Sequence, residues 1–560
     1  MPRRRALVPI FGVLLALAVG LPVAMATFDD PPPETPTEVR PAALATETTQ
    51  ATSPTSATTG SPPREVAIEV HGDEYPAELA RQLEAAGYVV SPDAPTRITE
   101  LRAGDPDELE VHITAYTYVV HPRAPLYDLT IPQAVAIQAL EEGAGLSGPI
   151  VAVRDAPPWF TYQDGREERL IEVDTPKEVM DIVAADPTAV GILPVESLGP
   201  RVRALTTPGV DPYGTSWDRN VGHVLWIVGP DAEQVADALG WPTEPREDPV
   251  RFVATGELIP ARCVSDRVAN IEGGYGASYD GTRDLIASAD LAMSHWEPAV
   301  IEGGPTPCTP TFNLSTRPAA AQAAADAGID VALAIGNHMG DCWSGCGYQD
   351  AVLETVRHLE AAGMVTLGAG ENLEAAREPA IVERDGVTFA FLGYDDIAYQ
   401  HYGATATTAG TAHADLEGVA SDVRAAAERA DHVIVGFSWG VEYVTSPTQR
   451  QRDLAHAAVE AGASLVVGNH PHWVQATEWI GDAFVAYGLG NFVFDQDWSV
   501  ETSQGAILEV GFTRDRILGV RIRPTAIRQQ HLVELLDPTE GEGAAILDRI
   551  WAATDALANR

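Results

Sequence analysis

The sequence predicts an α/β protein in two folded parts behind an N-terminal export segment. Three observations predict it. Strand-like and helix-like runs interleave from Arg64 to Gly240 and again from Val250 to about Ile527, the pattern of α/β sheets. Trp241–Pro249 separates the two runs, and its three prolines exclude a helix or a central strand. At the start, Arg3, Arg4 and Arg5 precede an apolar stretch from Ala6 to Ala26.

That stretch is about long enough to cross a bilayer, and Ala24-Met25-Ala26 has the small-x-small form of a cleavage site. Residues 1–27 are expected to be a removed signal peptide or a retained N-terminal membrane anchor. Either places the rest outside the cytoplasm, membrane-anchored or secreted. The first cysteine is Cys263, which excludes a lipoprotein anchor near residue 26. Residues 28–64 are rich in Pro, Thr, Ser and Ala without hydrophobic periodicity, and read as a disordered spacer.

The chain has 560 residues, 45% of them hydrophobic, which excludes wholesale disorder. Its 36 Lys+Arg against 80 Asp+Glu give a net charge of -44. A polyanion needs a basic face, so nucleic-acid partners are excluded, as is docking on an anionic membrane surface. Lys177 is the single lysine, so the cations are arginines. The acid excess reads as a solvated surface.

The first part, 65–247, is expected to be a small α/β domain. Val66–Val70 alternates as a strand, Ala77–Ala86 is a helix ended by Gly87, Leu109–Val120 is a strand and Ile131–Glu142 a helix. Ile150–Val153, Ala189–Leu193 and Val221–Val228 read as short buried strands. The order resembles a lobe of the phosphate-type periplasmic binding proteins. Asp128-Leu129-Thr130-Ile131-Pro132-Gln133-Ala134 and Ala189-Val190-Gly191-Ile192-Leu193-Pro194 carry that resemblance. It implies a ligand-binding lobe or a scaffold.

The second part, 250–530, carries the chemistry, with a helical extension over 531–560. Arg251–Thr255 runs into Gly256-Glu257, and Asp290–Ser294 into His295-Trp296-Glu297. Val331–Ile335 runs into Gly336-Asn337-His338, with Asp341 following. Val433–Phe437 runs into Ser438-Trp439-Gly440-Val441-Glu442-Tyr443. Ser464–Val467 runs into Gly468-Asn469-His470-Pro471-His472, and Leu489-Gly490-Asn491-Phe492 ends the series. Open α/β sheets bind ligands at such strand ends. Each motif alone suits a capped turn. Together they present acids, histidines and asparagines in order, a mixed N and O donor set for a divalent ion.

As an ordered set the motifs resemble the CapA family of capsule, or poly-γ-glutamate, synthesis proteins. The fillers Thr311-Phe312-Asn313-Leu314, Gly368–Asn372 and Gln449-Arg450-Gln451 extend the likeness. The resemblance implies a calcineurin-like metallophosphoesterase-type α/β/β/α sandwich. It implies Glu257, Glu297, Asn337, His470 and His472 as ligands of divalent metal (Mn, Mg or Zn). It makes His338 the proton donor and Asp341 its orienting partner, with His295, Ser438, Glu442 and Arg262 as further site residues. Four positions depart from the pattern: the family has His at Ser438, Asn at Gly336, Asp at Glu257 and Asn at His295. The implied role is synthesis, export or anchoring of an anionic envelope polymer, with that polymer or its synthesis machinery as partner. The chain is then a metal-dependent hydrolase or a non-catalytic factor that binds polymer or a small anion.

Cys263, Cys308, Cys342 and Cys346 allow three pairings. Export favours disulfides, and the close spacing of Cys342 and Cys346 also suits zinc. The expected pairs are Cys263–Cys308 and Cys342–Cys346, bracing the first and third motifs.

Overall fold

The computed structural model describes residues 64–69, 74–99, 108–112, 116–129, 148–153, 169–206, 211–213, 224–241, 249–397 and 399–559. The N-terminal segment, nearly all of the spacer, the helix expected at Ile131–Glu142 and most of the proline-rich break lie outside them. Among the described residues no helix is long and apolar enough to cross a membrane.

The first part holds two five-stranded sheets. One has the order Tyr88–Val90, Arg64–Glu69, Thr96–Thr99, Val224–Val228, Glu108–His112; the other runs Leu170–Val173, Ile150–Val153, Val190–Pro194, Tyr116–Val120, Arg203–Ala204. The single strand expected over Leu109–Val120 is therefore two strands in two sheets. Glu108–His112 pairs antiparallel with Val224–Val228, whereas Tyr116–Val120 pairs antiparallel with Val190–Pro194. An apolar alternation marks extended backbone but not its partner, so the division is invisible locally. Helix Pro176–Ala185 starts with a reciprocal cap between Thr175 and Glu178, and buries Val179 and Val183.

The second part is a sandwich of two sheets. In the first, Val365–Leu367, Val331–Ala334, Leu291–Trp296 and Val250–Leu258 lie parallel, followed antiparallel by Gln504–Phe512, Ile517–Arg528 and Leu532–Leu535. This sheet therefore continues past residue 530. In the second, Val387–Asp395, His432–Ser438, Leu465–Asn469 and Ala483–Ala486 are parallel, with Ala380–Arg384 and Thr477–Ile480 antiparallel at the edges.

The period of two along each strand builds the layers. Phe252 and Ala254 of one sheet meet Phe389 and Phe391 of the other in a shared core. Val253 faces outward onto helix Pro318–Ala327, whose Ala320, Ala321 and Ala324 let it lie close. Ala390 and Leu392 likewise face the helices Leu416–Ala427 and Gln449–Glu460. The result is an α/β/β/α sandwich.

One connection welds the sheets. After Ala483–Ala486 in the second sheet, the chain crosses to the first, where Asn491–Val493 pairs parallel with the end of Val250–Leu258. Gly256 permits the approach: a Cβ there would lie 2.2 Å from the Gly490 carbonyl oxygen. The register shifts between Thr255 and Glu257, and the Glu257 N–H donates to Gly490 O (2.9 Å).

Both expected disulfides are present, Cys263–Cys308 and Cys342–Cys346.

Candidate functional site

The parallel strands of both sheets end on one edge, and the polar motifs meet there. Glu257, His295, Glu297, Ser438, Asn469, His470 and His472 are all buried. The shift at Thr255/Glu257 aims the Glu257 carboxylate across the sandwich: Oε1 accepts from the His470 backbone N–H, and Oε2 faces His472 Nδ1 at 2.8 Å. His472 Nδ1 also faces Asn491 Oδ1 at 2.9 Å, while the Asn491 amide donates to Thr502 O (2.8 Å). Both neighbours of Nδ1 are acceptors, so Nδ1 carries the proton and Nε2 is left for a ligand.

His470 and His472 both take positive φ, 95° and 58°. The left-handed region is costly for residues with a Cβ, on the order of 1–3 kcal/mol each, and such outliers gather at functional sites. Tyr443 N–H holds the loop by donating to Pro471 O (2.8 Å), and the Tyr443 ring stacks on His472 with centroids 5.7 Å apart.

The other imidazoles are also oriented. His295 Nε2 lies 3.0 Å from Ile335 O. A carbonyl only accepts, so Nε2 is the N–H and Nδ1 holds the lone pair. His338 Nδ1 lies 2.6 Å from Asp341 Oδ2, which also accepts the Leu314 backbone N–H (2.7 Å). Asp341 therefore fixes the His338 ring through Nδ1 and leaves Nε2 without that contact.

Seven buried side-chain polar atoms at this edge have no hydrogen-bond partner among the described residues. They are His295 Nδ1, both Glu297 carboxylate oxygens, Asn337 Oδ1, Ser438 Oγ, Asn469 Nδ2 and His470 Nδ1. Buried polar atoms are nearly always paired, so such a concentration marks a place where something else binds. Gly336, at φ 116°, opens part of that space. A Cβ there would stand 3.1 Å from Glu297 Cγ and 3.5 Å from both Glu297 Oε1 and Ser438 Oγ. Gly336 and Ser438 are the two positions where this chain is smaller than the family pattern.

The electrostatics follow from burial. Burial, then the adjacent Glu257 carboxylate, pushes Glu297 well above the usual carboxylate range. Burial opposes charge on Glu257 too, but His472 and His295 outweigh it and hold Glu257 low. Burial and the neighbouring His472 push His470 down to about 3, which keeps its imidazole neutral.

The expected ligands thus divide. Glu257 is engaged with His472 and the His470 backbone. The unengaged donors are Glu297, His295 Nδ1, His470 Nδ1, Asn337 Oδ1 and Ser438 Oγ. Among the described residues no group of three or more His, Cys, Asp or Glu side chains is arranged to hold a metal ion. Glu297, the lone pair on His295 and the open space at Gly336 lie at this same edge.

Two expected residues stand apart from the cluster. Arg262 donates to both carboxylate oxygens of Asp495 and to Thr311 O (2.7 Å). Glu442 is exposed, though near enough to Glu297 to raise its pKa. Asn469, Asn491 and Asp395 were missing from the expected set. The two asparagines sit inside quoted motifs, and Asp395 ends the parallel strand Val387–Asp395, so the strand-end rule was the available signal.

The second part is thus a sandwich of two mainly parallel sheets with a polar, under-satisfied edge. Residues 251–496 match the family described as "Bacterial capsule synthesis protein PGA_cap", and over this part the chain is similar to CapA proteins. It is 33% identical over 177 residues to the PGA biosynthesis protein CapA of Bacillus subtilis, covering 31% of this chain and 46% of that protein. It is 28% identical over 278 residues to the capsule biosynthesis protein CapA of Bacillus anthracis, covering 48% and 65%. The matches thus span about half to two thirds of those relatives. Among solved structures, a calcineurin-like phosphoesterase from Bacillus subtilis aligns with 55% of this chain and 97% of that one, at 10% identity and a TM-score of 0.32.

Proposed function

We propose that this protein works outside the cytoplasmic membrane in the synthesis of an anionic envelope polymer such as poly-γ-glutamate. In this reading its strand-end cluster is a divalent-cation site acting on a phosphoester or on the polymer. The observation that carries the reading is the concentration of partnerless buried donors around Glu297. Glu297, His295, His470 and Asn337 would hold the cation, with His472 fixed beside them by Glu257. The cation would supply Lewis-acid polarisation of a phosphoryl or carboxylate oxygen. His338, oriented through Nδ1 by Asp341, would deliver a proton from Nε2 to a leaving group. The names of the two CapA relatives support the polymer class, and the Arg-flanked apolar segment supports export.

The test is metal analysis of the purified full chain, with a bis(p-nitrophenyl) phosphate assay on the same sample. Bound Mn²⁺, Mg²⁺ or Zn²⁺ with cleavage, and a His338→Ala variant that keeps the metal but not the cleavage, is the expected result. No metal and no cleavage would overturn the catalytic reading. The engagement of Glu257 by His472 favours a second reading, a non-catalytic factor that binds the polymer. Poly-γ-glutamate binding by the metal-free, inactive chain would establish it. Protease added to intact, wall-stripped cells should digest the folded parts, and full protection would refute export.

A further inference from the structure

The two parts of the chain meet over a second polar assembly, far in sequence from the strand-end motifs. Tyr213 packs on Gly511 and Gly519, where a Cβ would lie 2.8 Å and 2.5 Å from its ring and hydroxyl, and Tyr127 OH donates to Ile522 O (3.2 Å). Around these tyrosines stand Arg203, Arg251, Arg521 and Arg523. Glu509 pairs with Arg251 at 3.1 Å and Arg523 at 2.7 Å, and Asp211 pairs with Arg521.

Arg203 is the exception. It is 1% exposed. Its Nη2 donates to Ala124 O (2.5 Å) and its Nε to Pro122 O (3.3 Å), while its guanidinium lies over the Tyr127 ring at 3.8 Å. Its Nη1 has no partner, and no carboxylate among the described residues pairs with it. A buried cation without a counter-ion is costly. Carbonyls and an aromatic face lower that cost but supply no negative charge.

Arg203 lines a cavity of about 390 Å³ between the two parts. Arg123, Arg201 and Glu478 also line it, and Tyr127, Trp479, Phe484 and Trp551 form aromatic walls. The volume suits a small organic molecule. Arg123 is neutralised by Asp555 and Arg201 faces Asp181, so the uncompensated charge on the cavity wall is that of Arg203, set beside aromatic rings that shelter apolar surface.

We propose that this cavity binds a small organic anion, a carboxylate or phosphate carried on an apolar body, with Arg203 as its counter-ion. The site is independent of the cation site, and neither proposal rests on the other. The ligand's acidic group would take the open Nη1 and neutralise the guanidinium, while its body would lie against Trp479 and Trp551.

The experiment is a fluorescence titration of the full chain, whose eleven tryptophans include the two on the cavity wall, with Trp479→Phe/Trp551→Phe as the control that must remove the quenching signal. The probes are phenyl phosphate, benzoate, inorganic phosphate, and benzyl alcohol as the uncharged control. Saturable quenching by phenyl phosphate or benzoate is expected, and their ratio tells phosphate from carboxylate. Arg203→Leu should weaken binding about ten- to a hundredfold, the range for a lost charge-assisted hydrogen bond. Val520→Trp fills the cavity from a residue that lines it and should abolish binding without touching any arginine, which covers a failure of Arg203→Leu to fold. Absence of saturation by either organic anion overturns the proposal. So does equal binding of benzyl alcohol, or of inorganic phosphate alone, or binding that survives both substitutions.

Discussion

Glu509→Gln tests how much one buried carboxylate stabilises the arginine cluster on the sheet face where the two parts meet. Glu509 is fully buried in the strand Gln504–Phe512, within reach of Arg251, Arg521 and Arg523. Burial alone would raise its pKa, but the three guanidinium groups reverse the effect and bring it from 4.5 to about 2. That difference corresponds to about 3 kcal/mol of stability at neutral pH. The sign follows from the direction: a carboxylate whose folded-state pKa is depressed stabilises the fold above its unfolded pKa. The contribution is then present above pH 4.5 and lost as pH falls toward 2.

Gln keeps the shape and removes the charge. It also strands the Arg521 guanidinium, which is 1% exposed and pairs otherwise with Asp211, so the neutral-pH cost should reach about 3–5 kcal/mol. The assay is urea unfolding of wild type and variant from pH 7 down to pH 2, compared as a difference so that other carboxylates cancel. The difference should be largest at neutral pH and shrink steadily below pH 5 as wild-type Glu509 is protonated. A constant difference across that range, or none, would refute the reasoning and show that Asp211 alone compensates the arginines.

Three further outcomes are expected. Gly336→Ala should cost on the order of 1–3 kcal/mol through its positive φ, and should remove any divalent-cation gain in thermal stability, because its Cβ would sit 3.1 Å from Glu297 Cγ. Removal of a donor is not involved, so a cation-dependent gain that survives would place the ion elsewhere. Ser438→His puts an imidazole back at a fully buried strand end beside the same open space and should tighten cation binding, read as a larger thermal shift at equal Mn²⁺ or Zn²⁺. Alkylation without reductant should label no cysteine, since all four are paired; two reactive thiols would reject the bridges.

The candidate site was legible because its signals are local. A parallel strand followed by a polar motif puts that motif at the carboxyl edge of a sheet, and six such units occur in order. The fillers make local supporting contacts. Leu314 N–H fixes Asp341, Asn372 caps the helix Leu373–Arg377, and Gln451 forms a reciprocal cap with Thr448 while its amide donates to Gln475 (2.8 Å). What was hidden depends on pairing at a distance. Glu257 reads as a metal ligand by position, yet the crossing at Gly490 turns its carboxylate onto His472 and the His470 backbone. The same crossing brings in Asn491. Leu109–Val120 splits because its halves find partners far away in the chain.

The arginines show a different kind of invisibility. Against 80 acids they read as dilute charge on a solvated surface, because composition carries no position. The fold instead gathers five of them, Arg123, Arg203, Arg251, Arg521 and Arg523, where the two parts of the chain meet. Four find carboxylates: Arg123 takes Asp555, and the others share Asp211 and Glu509. In so acidic a chain a fourth carboxylate was available at little cost in composition, yet among the described residues none pairs with Arg203. Carboxylate-for-arginine pairing explains how the two parts hold together. It does not explain an unpaired guanidinium on the wall of a cavity, and that residue is where an anion from outside the chain completes the charge balance.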